Sequence, residues 1–514
     1  MRTLILSLLA LAFASGAYAQ NPLTLVGQYD GEAAEDYFGG TLTCGDFNAD
    51  GYDDFIIGAW GWNNITGKVY FYAGGAQFPQ TPLWTISGHQ ENEGYAVCAN
   101  IGDVSGDGIE DFAVAANTYE LLIETSRLDL YFGGIPLDTL PDFTIYSAYH
   151  NTNDFWYIDS CGDVNGDGGK DIAVLHKAYG YPNLAHIYWG GAALDTVPDW
   201  TCWADQSYWI NGLGDVNGDG YADIMIRQYQ GPAAIYFGGS PMDTLPDVVF
   251  DNGTSSIGSG IRDLNGDGYN DVAFCWFFPQ QLGYDVIHWG GPDMDSQHDA
   301  LLMTWANDTS SSGYGLSCGD FNGDGYGDIV GTGLESGYQA VRIWLGGHHP
   351  TAQCDATIYG NPYKDFGYSL ATGDIDHDGC DELLIAEKAW DFNPEGAVYL
   401  FDGPQTWIDY GDTVDVASGA IPSPAAFTLH PPHPNPFNPA TTLRFDLPQA
   451  GYVRLEGFDT AGRKVSAVGF GEPDLRWYPA GTHEVTFDGA GLPSGVYLVR
   501  MEVGTSPRCA RWYC

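Results

Sequence analysis

The feature that most constrains this chain is a nine-residue acidic loop that recurs seven times. In its clearest copy, Asp320-Phe-Asn-Gly-Asp-Gly-Tyr-Gly-Asp328, oxygen-bearing side chains fall at positions 1, 3, 5 and 9: Asp320, Asn322, Asp324 and Asp328. Gly325 holds position 6, where a sharp turn calls for a residue without Cβ. Tyr326, at position 7, can offer its backbone carbonyl. A hard cation such as Ca²⁺ takes about six to eight oxygens from a tight, turning backbone, and this spacing presents them. The same positions 1, 3, 5, 7 and 9 are Asp46, Asn48, Asp50, Tyr52 and Asp54 in the first copy, and Asp103, Ser105, Asp107, Ile109 and Asp111 in the second. They are Asp163, Asn165, Asp167, Gly169 and Asp171 in the third, and Asp215, Asn217, Asp219, Tyr221 and Asp223 in the fourth. The fifth has Asp263, Asn265, Asp267, Tyr269 and Asp271; the seventh has Asp374, Asp376, Asp378, Cys380 and Glu382. Up to seven Ca²⁺ ions are therefore expected. Metal-free Asx turns are the other reading of such loops, but seven acid-dense turns without a cation would each carry uncompensated like charge.

Successive first aspartates lie 48 to 60 residues apart, and a period of that size marks a repeat architecture. Each unit has the same grammar. An apolar segment enters the loop, as in Tyr368-Ser-Leu-Ala-Thr-Gly373, and a second leaves it, as in Asp54-Phe-Ile-Ile-Gly58. A third ends in an aromatic and a Gly pair, as in Tyr131-Phe-Gly-Gly134, and a fourth opens after Asp-Thr-x-Pro-Asp, as in Asp138 to Asp142. Four short runs bounded by Gly, Pro and Asp turns read as four strands. Seven four-stranded units predict an all-β, seven-bladed β-propeller in preference to a linear β-solenoid, whose repeats are usually shorter.

The units resemble FG-GAP repeats, the blades of the integrin α-chain propeller. Phe38-Gly39 and Phe366-Gly367 match the first element, Gly58-Ala59 starts the second, and the acidic loop carries the match throughout. The resemblance implies the propeller fold and bound Ca²⁺; it does not imply integrin's ligand or partner.

Residues 1–19 read as a signal peptide: Arg2, an apolar core from Leu4 to Phe13, and a small-residue cleavage site at Ala17-Tyr-Ala19. The propeller is expected over 20–410 and a Ser/Pro-containing linker over 411–425. Residues 426–514 break the period with alternating strands such as Thr442–Asp446, Tyr452–Glu456 and Gly495–Arg500, which predict a small β-sandwich. With Pro434-Asn-Pro-Phe-Asn-Pro439 and Ser494-Gly-Val-Tyr497, this segment resembles the C-terminal sorting domain of type IX secretion substrates, which has an immunoglobulin-like fold. The resemblance implies type IX machinery as a partner and secretion to, or display on, the outer surface of a Gram-negative-type bacterium. A terminal stability domain is the plainer reading.

The net charge of −49, from 67 acidic and 18 basic residues, disfavours nucleic acid, whose phosphates need clustered Lys and Arg. Beyond the signal peptide, no segment is apolar and long enough to cross a membrane as a helix. Ten cysteines could pair in a secreted chain, but Cys44, Cys161 and Cys318 each lie two residues before a loop, in units one, three and six, and read as small buried hydrophobes. Only Cys509 and Cys514 are close enough in sequence to suggest a bridge. No triad elbow, zinc-type His pair or phosphate loop is present, so no catalytic residue is assigned and a monomeric binding protein is expected, with a glycan or protein ligand. A polysaccharide-degrading enzyme on the same scaffold, or a purely structural surface protein, are the alternatives. The ligand is expected on the face opposite the acidic loops. Trp60, Trp62, Tyr179, Tyr181, Trp276 and Trp390 are placed in its variable connections, and Trp156, Tyr208 and Trp209 at the blade crossings. Core packing is the competing role for any one of them. The segment 23–27 is expected to complete the seventh blade, sparing it an open edge.

Overall fold

The computed structural model describes residues 23–403 apart from 34, 118–125, 136, 148–152, 178–182, 205–206, 229–231, 251–255, 277–282, 297–298, 306–314, 336–337, 348–353, 361–363 and 390–395. Beyond 403 it describes 428–429, 440–447, 451–459, 463–465, 475–478, 481–488 and 497–503. The expected signal peptide and the linker 411–425 lie outside these residues, as do Tyr179, Tyr181, Trp390, Cys509 and Cys514.

The chain divides into two compact units, one of them Ala19–Ile408, the other taking in Asp409–Cys514. The first is a seven-bladed β-propeller of four-stranded antiparallel sheets. Blade 1 is Phe38–Gly45, Asp54–Ala59, Lys68–Tyr72 and Trp84–Ser87, hydrogen-bonded in that order. Blades 2 to 6 repeat the pattern. Blade 7 takes Lys364–Gly373, Glu382–Ala389 and Ala397–Asp402 from the end of the array and its fourth strand, Thr24–Asp30, from the beginning. The N-terminal strand thus closes the ring, with Thr24 opposite Asp402 and Asp30 opposite Ala397. The first strands of neighbouring blades lie side by side all the way round, including blade 7 against blade 1.

Second strands explain the unbroken apolar runs in the sequence. Asp54–Ala59 and Asp111–Ala116 are buried at every residue, because each packs against neighbouring blades on both faces. Between blades 7 and 1, Phe38, Phe55 and Ile57 meet Leu384, Val398 and Leu400. Between blades 1 and 2, Phe47, Ile56 and Phe71 meet Phe112, Val114 and Tyr131. The Phe-Gly element has a physical reason at these junctions. Gly39 and Gly367 each sit at φ +83° in a first-strand bulge, and a Cβ there would come within 2.9 Å of Ala386 and 2.4 Å of Thr332 respectively.

Cys44 and Cys161 are buried on first strands, whereas Cys318 on the first strand of blade 6 is partly exposed; none of these three forms a disulfide. The second unit contains two antiparallel sheets. One joins Thr428–Leu429, Ala440–Leu447 and Gly481–Asp488; the other sets Gly451–Asp459 against Lys464–Val465, Leu475–Tyr478 and Tyr497–Val503. Among the described residues no helix is long and apolar enough to cross a membrane.

Candidate metal centres and the opposite face

All seven acidic loops link the first strand of a blade to the second, so they share one face of the ring. Their side chains build the turn from inside. The first-position carboxylate accepts the N–H groups of positions 5 and 6 in every loop, at 2.7–3.2 Å. The position-5 carboxylate accepts the N–H of position 7 in every loop: Asp50 from Tyr52, Asp107 from Ile109, Asp167 from Gly169, Asp219 from Tyr221, Asp267 from Tyr269, Asp324 from Tyr326 and Asp378 from Cys380. Asn48, Asn165, Asn217, Asn265, Asn322 and Asp376 at position 3 accept the N–H of position 5, while Ser105 donates its hydroxyl to Asp103. The position-6 glycine stands at φ +87° to +97° with nothing within reach of an added Cβ, so conformation alone requires it.

The position-9 acid is the buried one. Asp54, Asp111, Asp171, Asp223, Asp271, Asp328 and Glu382 are all fully buried. In loops two to seven this acid accepts the N–H of position 2, from Val104, Val164, Val216, Leu264, Phe321 and Ile375. Across blades 1 to 6 its other oxygen accepts the first N–H of the Gly pair that ends the third strand. Burial pushes these carboxyls up, to about 6 at Asp111, about 7 at Asp171, Asp223 and Asp271, about 8 at Asp54 and Asp328, and about 9 at Glu382. Like charges nearby push the same way.

Two of these acids keep a buried oxygen without a hydrogen-bond partner: Asp54 Oδ2 and Glu382 Oε1. At the seventh loop, oxygens of Asp374, Asp376 and Glu382 lie within 4.8 Å of one another, the one such acidic cluster among the described residues. Buried, partly unpaired carboxylates facing like charge, on turns already shaped by their own side chains, fit a hard divalent cation.

The loops also join the blades, which the repeat grammar did not reveal. The second glycine of each pair donates to the position-2 carbonyl of the preceding blade: Gly75 to Ile375, Gly134 to Phe47, Gly191 to Val104, Gly239 to Val164, Gly291 to Val216 and Gly347 to Leu264. Position-7 side chains extend the link. Tyr221, Tyr269 and Tyr326 lie over Gly166, Gly218 and Gly266 of the preceding loop, leaving no room for a Cβ there.

On the opposite face, the connection after Asp54–Ala59 carries Trp60 and Trp62, both partly exposed. Trp60 stacks on Tyr37 at 4.1 Å. Trp62 donates its Nε1–H to Glu32 at 2.9 Å, and Lys68 Nζ lies 4.8 Å from the Trp62 ring centre. Other expected positions need correction. Trp156 lies in the first strand of blade 3, Asn153–Gly162, and Tyr208 and Trp209 in that of blade 4, Ser207–Gly214, rather than in crossings. Trp276 is the last residue of the strand Asp271–Trp276, not part of a connection. The first strands begin sooner after each crossing than the turn signals suggested, because aromatics are as well suited to strand starts as to loops. Arg227, buried on the neighbouring strand, places its guanidinium 4.7 Å from the Trp209 ring centre.

Fold and loops together define a seven-bladed β-propeller with an acidic turn in every blade. Two of those blades match the FG-GAP repeat family, over residues 38–72 and 366–401, which run from the Phe-Gly bulge to the third strand of blades 1 and 7. Integrin alpha-V of Gallus gallus is 26% identical over a stretch covering 37% of this chain and 20% of the relative. Integrin alpha-4 of Xenopus laevis is 32% identical over 37% of this chain and 19% of its own. Phosphatidylinositol-glycan-specific phospholipase D of Bos taurus is 29% identical over 26% of this chain and 18% of its own. The chain spans about a fifth of the length of these curated relatives.

Proposed function

We propose that this chain is a secreted, calcium-binding propeller that acts as a binding or adhesion protein at the cell surface. The observation that carries the reading is the set of seven buried position-9 carboxylates, raised by burial and like charge, on loops of one design. Positions 1, 3, 5 and 9, with the carbonyl of position 7, would hold the ion. Bound Ca²⁺ would neutralise each loop and fix the turn between a blade's first two strands. The similarity to integrin alpha chains supports a surface role, and no part of it assigns a ligand. Trp60 and Trp62, with Glu32 and Lys68 beside them, offer flat rings next to charged groups on the face away from the loops, a surface suited to a sugar face or a protein partner. Residues 426–514 would form an immunoglobulin-like sandwich that directs export through a type IX system.

Three measurements on the full chain test this reading. Elemental analysis should find calcium, and a chelator should lower the melting midpoint; no metal and an unchanged midpoint would overturn the calcium assignment. A glycan and protein panel, with product analysis, should show capture without turnover. Capture should be lost in the Trp60→Ala/Trp62→Ala double variant while the calcium-dependent melting persists. Released products would favour the enzymatic alternative. In a type IX-competent host, deletion of 426–514 should leave the propeller in the periplasm, and surface delivery of the truncated chain would count against the sorting role.

A further inference from the structure

Blade 7 departs from the other six at its cation loop. Loops one to six have three carboxylates among positions 1, 3, 5 and 9, since position 3 is Asn or Ser. Loop seven has four: Asp374, Asp376, Asp378 and Glu382. A fifth comes from outside the loop. Asp402 ends the third strand, where the other blades have Ala73, Phe132, Trp189, Phe237, Trp289 and Leu345. In blades 2 to 6 the N–H of that residue is held by an acid ten residues on, which leads into the fourth strand. In blade 7 the fourth strand comes from the N-terminus instead. Asp402 continues the register that pairs Phe401 with Leu383, which sets it across from Glu382, the position-9 acid of the loop. Its Oδ1 is buried without a hydrogen-bond partner, and so is Oε1 of Glu382, a residue with 0% of its surface exposed.

Resting on the calcium reading above, we propose that Asp402 is a further ligand of the seventh-blade ion, making this a five-carboxylate site that binds Ca²⁺ more tightly than the other six and secures the seam of the ring. Affinity in such loops is set in part by ligand charge, which is greatest here. Asp402 pairs with Thr24, so ligation fixes the end of the strand on which the closing N-terminal strand is built. The same loop bonds to blade 1: Ile375 accepts the N–H of Gly75 at 2.9 Å, and Asp374 accepts that of Asp53 at 3.1 Å.

The test is calorimetric titration of the full, calcium-stripped chain with Ca²⁺, alongside hydrogen exchange of the strand 24–30. One ion per chain should bind at least tenfold more tightly than the rest, and protection of 24–30 should be complete after that first equivalent. Asp402→Asn, which keeps the shape and removes the charge, should weaken this ion at least tenfold and leave the others unchanged. Asp402→Glu should retain it, and Asp324→Asn in blade 6 should remove one of the weaker ions only. Equal affinities in the wild type and Asp402→Asn, or protection of 24–30 that follows the last ions, would overturn the proposal while leaving the calcium reading standing. Absence of any Ca²⁺ binding would overturn both.

Discussion

Asp53 and Asp374 hold each other across the seam of the ring. The Asp53 N–H donates to the Asp374 carbonyl at 3.1 Å, and the Asp53 carboxylate accepts the Asp374 N–H at 2.9 Å. Asp381 and Asp320 repeat the exchange between blades 7 and 6, both bonds at 2.8 Å. Position 8 of a loop, which the cation pattern leaves undefined, is thus a joint between blades.

Asp53→Ala should destabilise the propeller by about 1–3 kcal/mol, the cost of leaving a backbone N–H without its carboxylate partner. Asp53→Asn retains an acceptor oxygen and should cost less, the more so because burial raises the Asp53 carboxyl to about 6. Urea denaturation of both variants gives the comparison, and equal losses would show that the bond is not what matters.

Two glycines of one repeat should respond differently to alanine. At Gly133 an added Cβ would lie 2.2 Å from the Glu110 carbonyl oxygen and 2.9 Å from that of Phe47, so Gly133→Ala must move backbone. At Gly51 nothing lies within 4 Å, and only the φ of +87° is unfavourable. Gly51→Ala should cost about 1–2 kcal/mol and Gly133→Ala distinctly more, read as melting midpoints in the same calcium-containing buffer.

Acidification should weaken blade 3 through His176 and His186, whose rings meet edge to face at 4.4 Å on adjacent strands. His186 Nδ1 pairs with Thr201 Oγ1 at 2.8 Å, and its ring also faces Tyr188. Burial pushes His176 down to about 3, with His186 adding to it, and His186 down to about 4. In the unfolded chain both titrate near their ordinary value, so below about pH 6.5 the unfolded state binds more protons. Stability is therefore full above that pH and falls toward pH 4, by on the order of 2 kcal/mol for each histidine at pH 5. Replacing both with Phe should flatten this part of the profile, followed by denaturant midpoints from pH 7.5 to 4.5.

Removing residues 20–30 should open the edge of Ala397–Asp402, which now pairs with Thr24–Asp30. The shortened chain is expected to melt earlier and to self-associate, since an unpaired edge is a template for another strand. Light scattering after gel filtration reads this, and a monomer of unchanged stability would refute it.

The seven loops, the four-strand grammar and the N-terminal closing strand were legible in the sequence because each is local: acids at fixed offsets, turn glycines, and apolar runs of strand length. The loop turns themselves follow from short-range bonds such as Asp320 to the N–H of Gly325. What the sequence could not show is what one repeat does to the next. The Gly pair read as a strand end, yet Gly134 is spent on Phe47 of the preceding blade. Trp156, Tyr208, Trp209 and Trp276 read as loop aromatics, yet the sheet takes them as strand residues, since composition alone does not separate a strand end from a loop. Asp402 carried no motif at all. Only the closing of the ring, with a strand borrowed from the other end of the chain, sets it opposite Thr24 on one side while the register of its own sheet sets it across from Glu382 on the other, because contacts between distant segments are decided by packing and not by spacing.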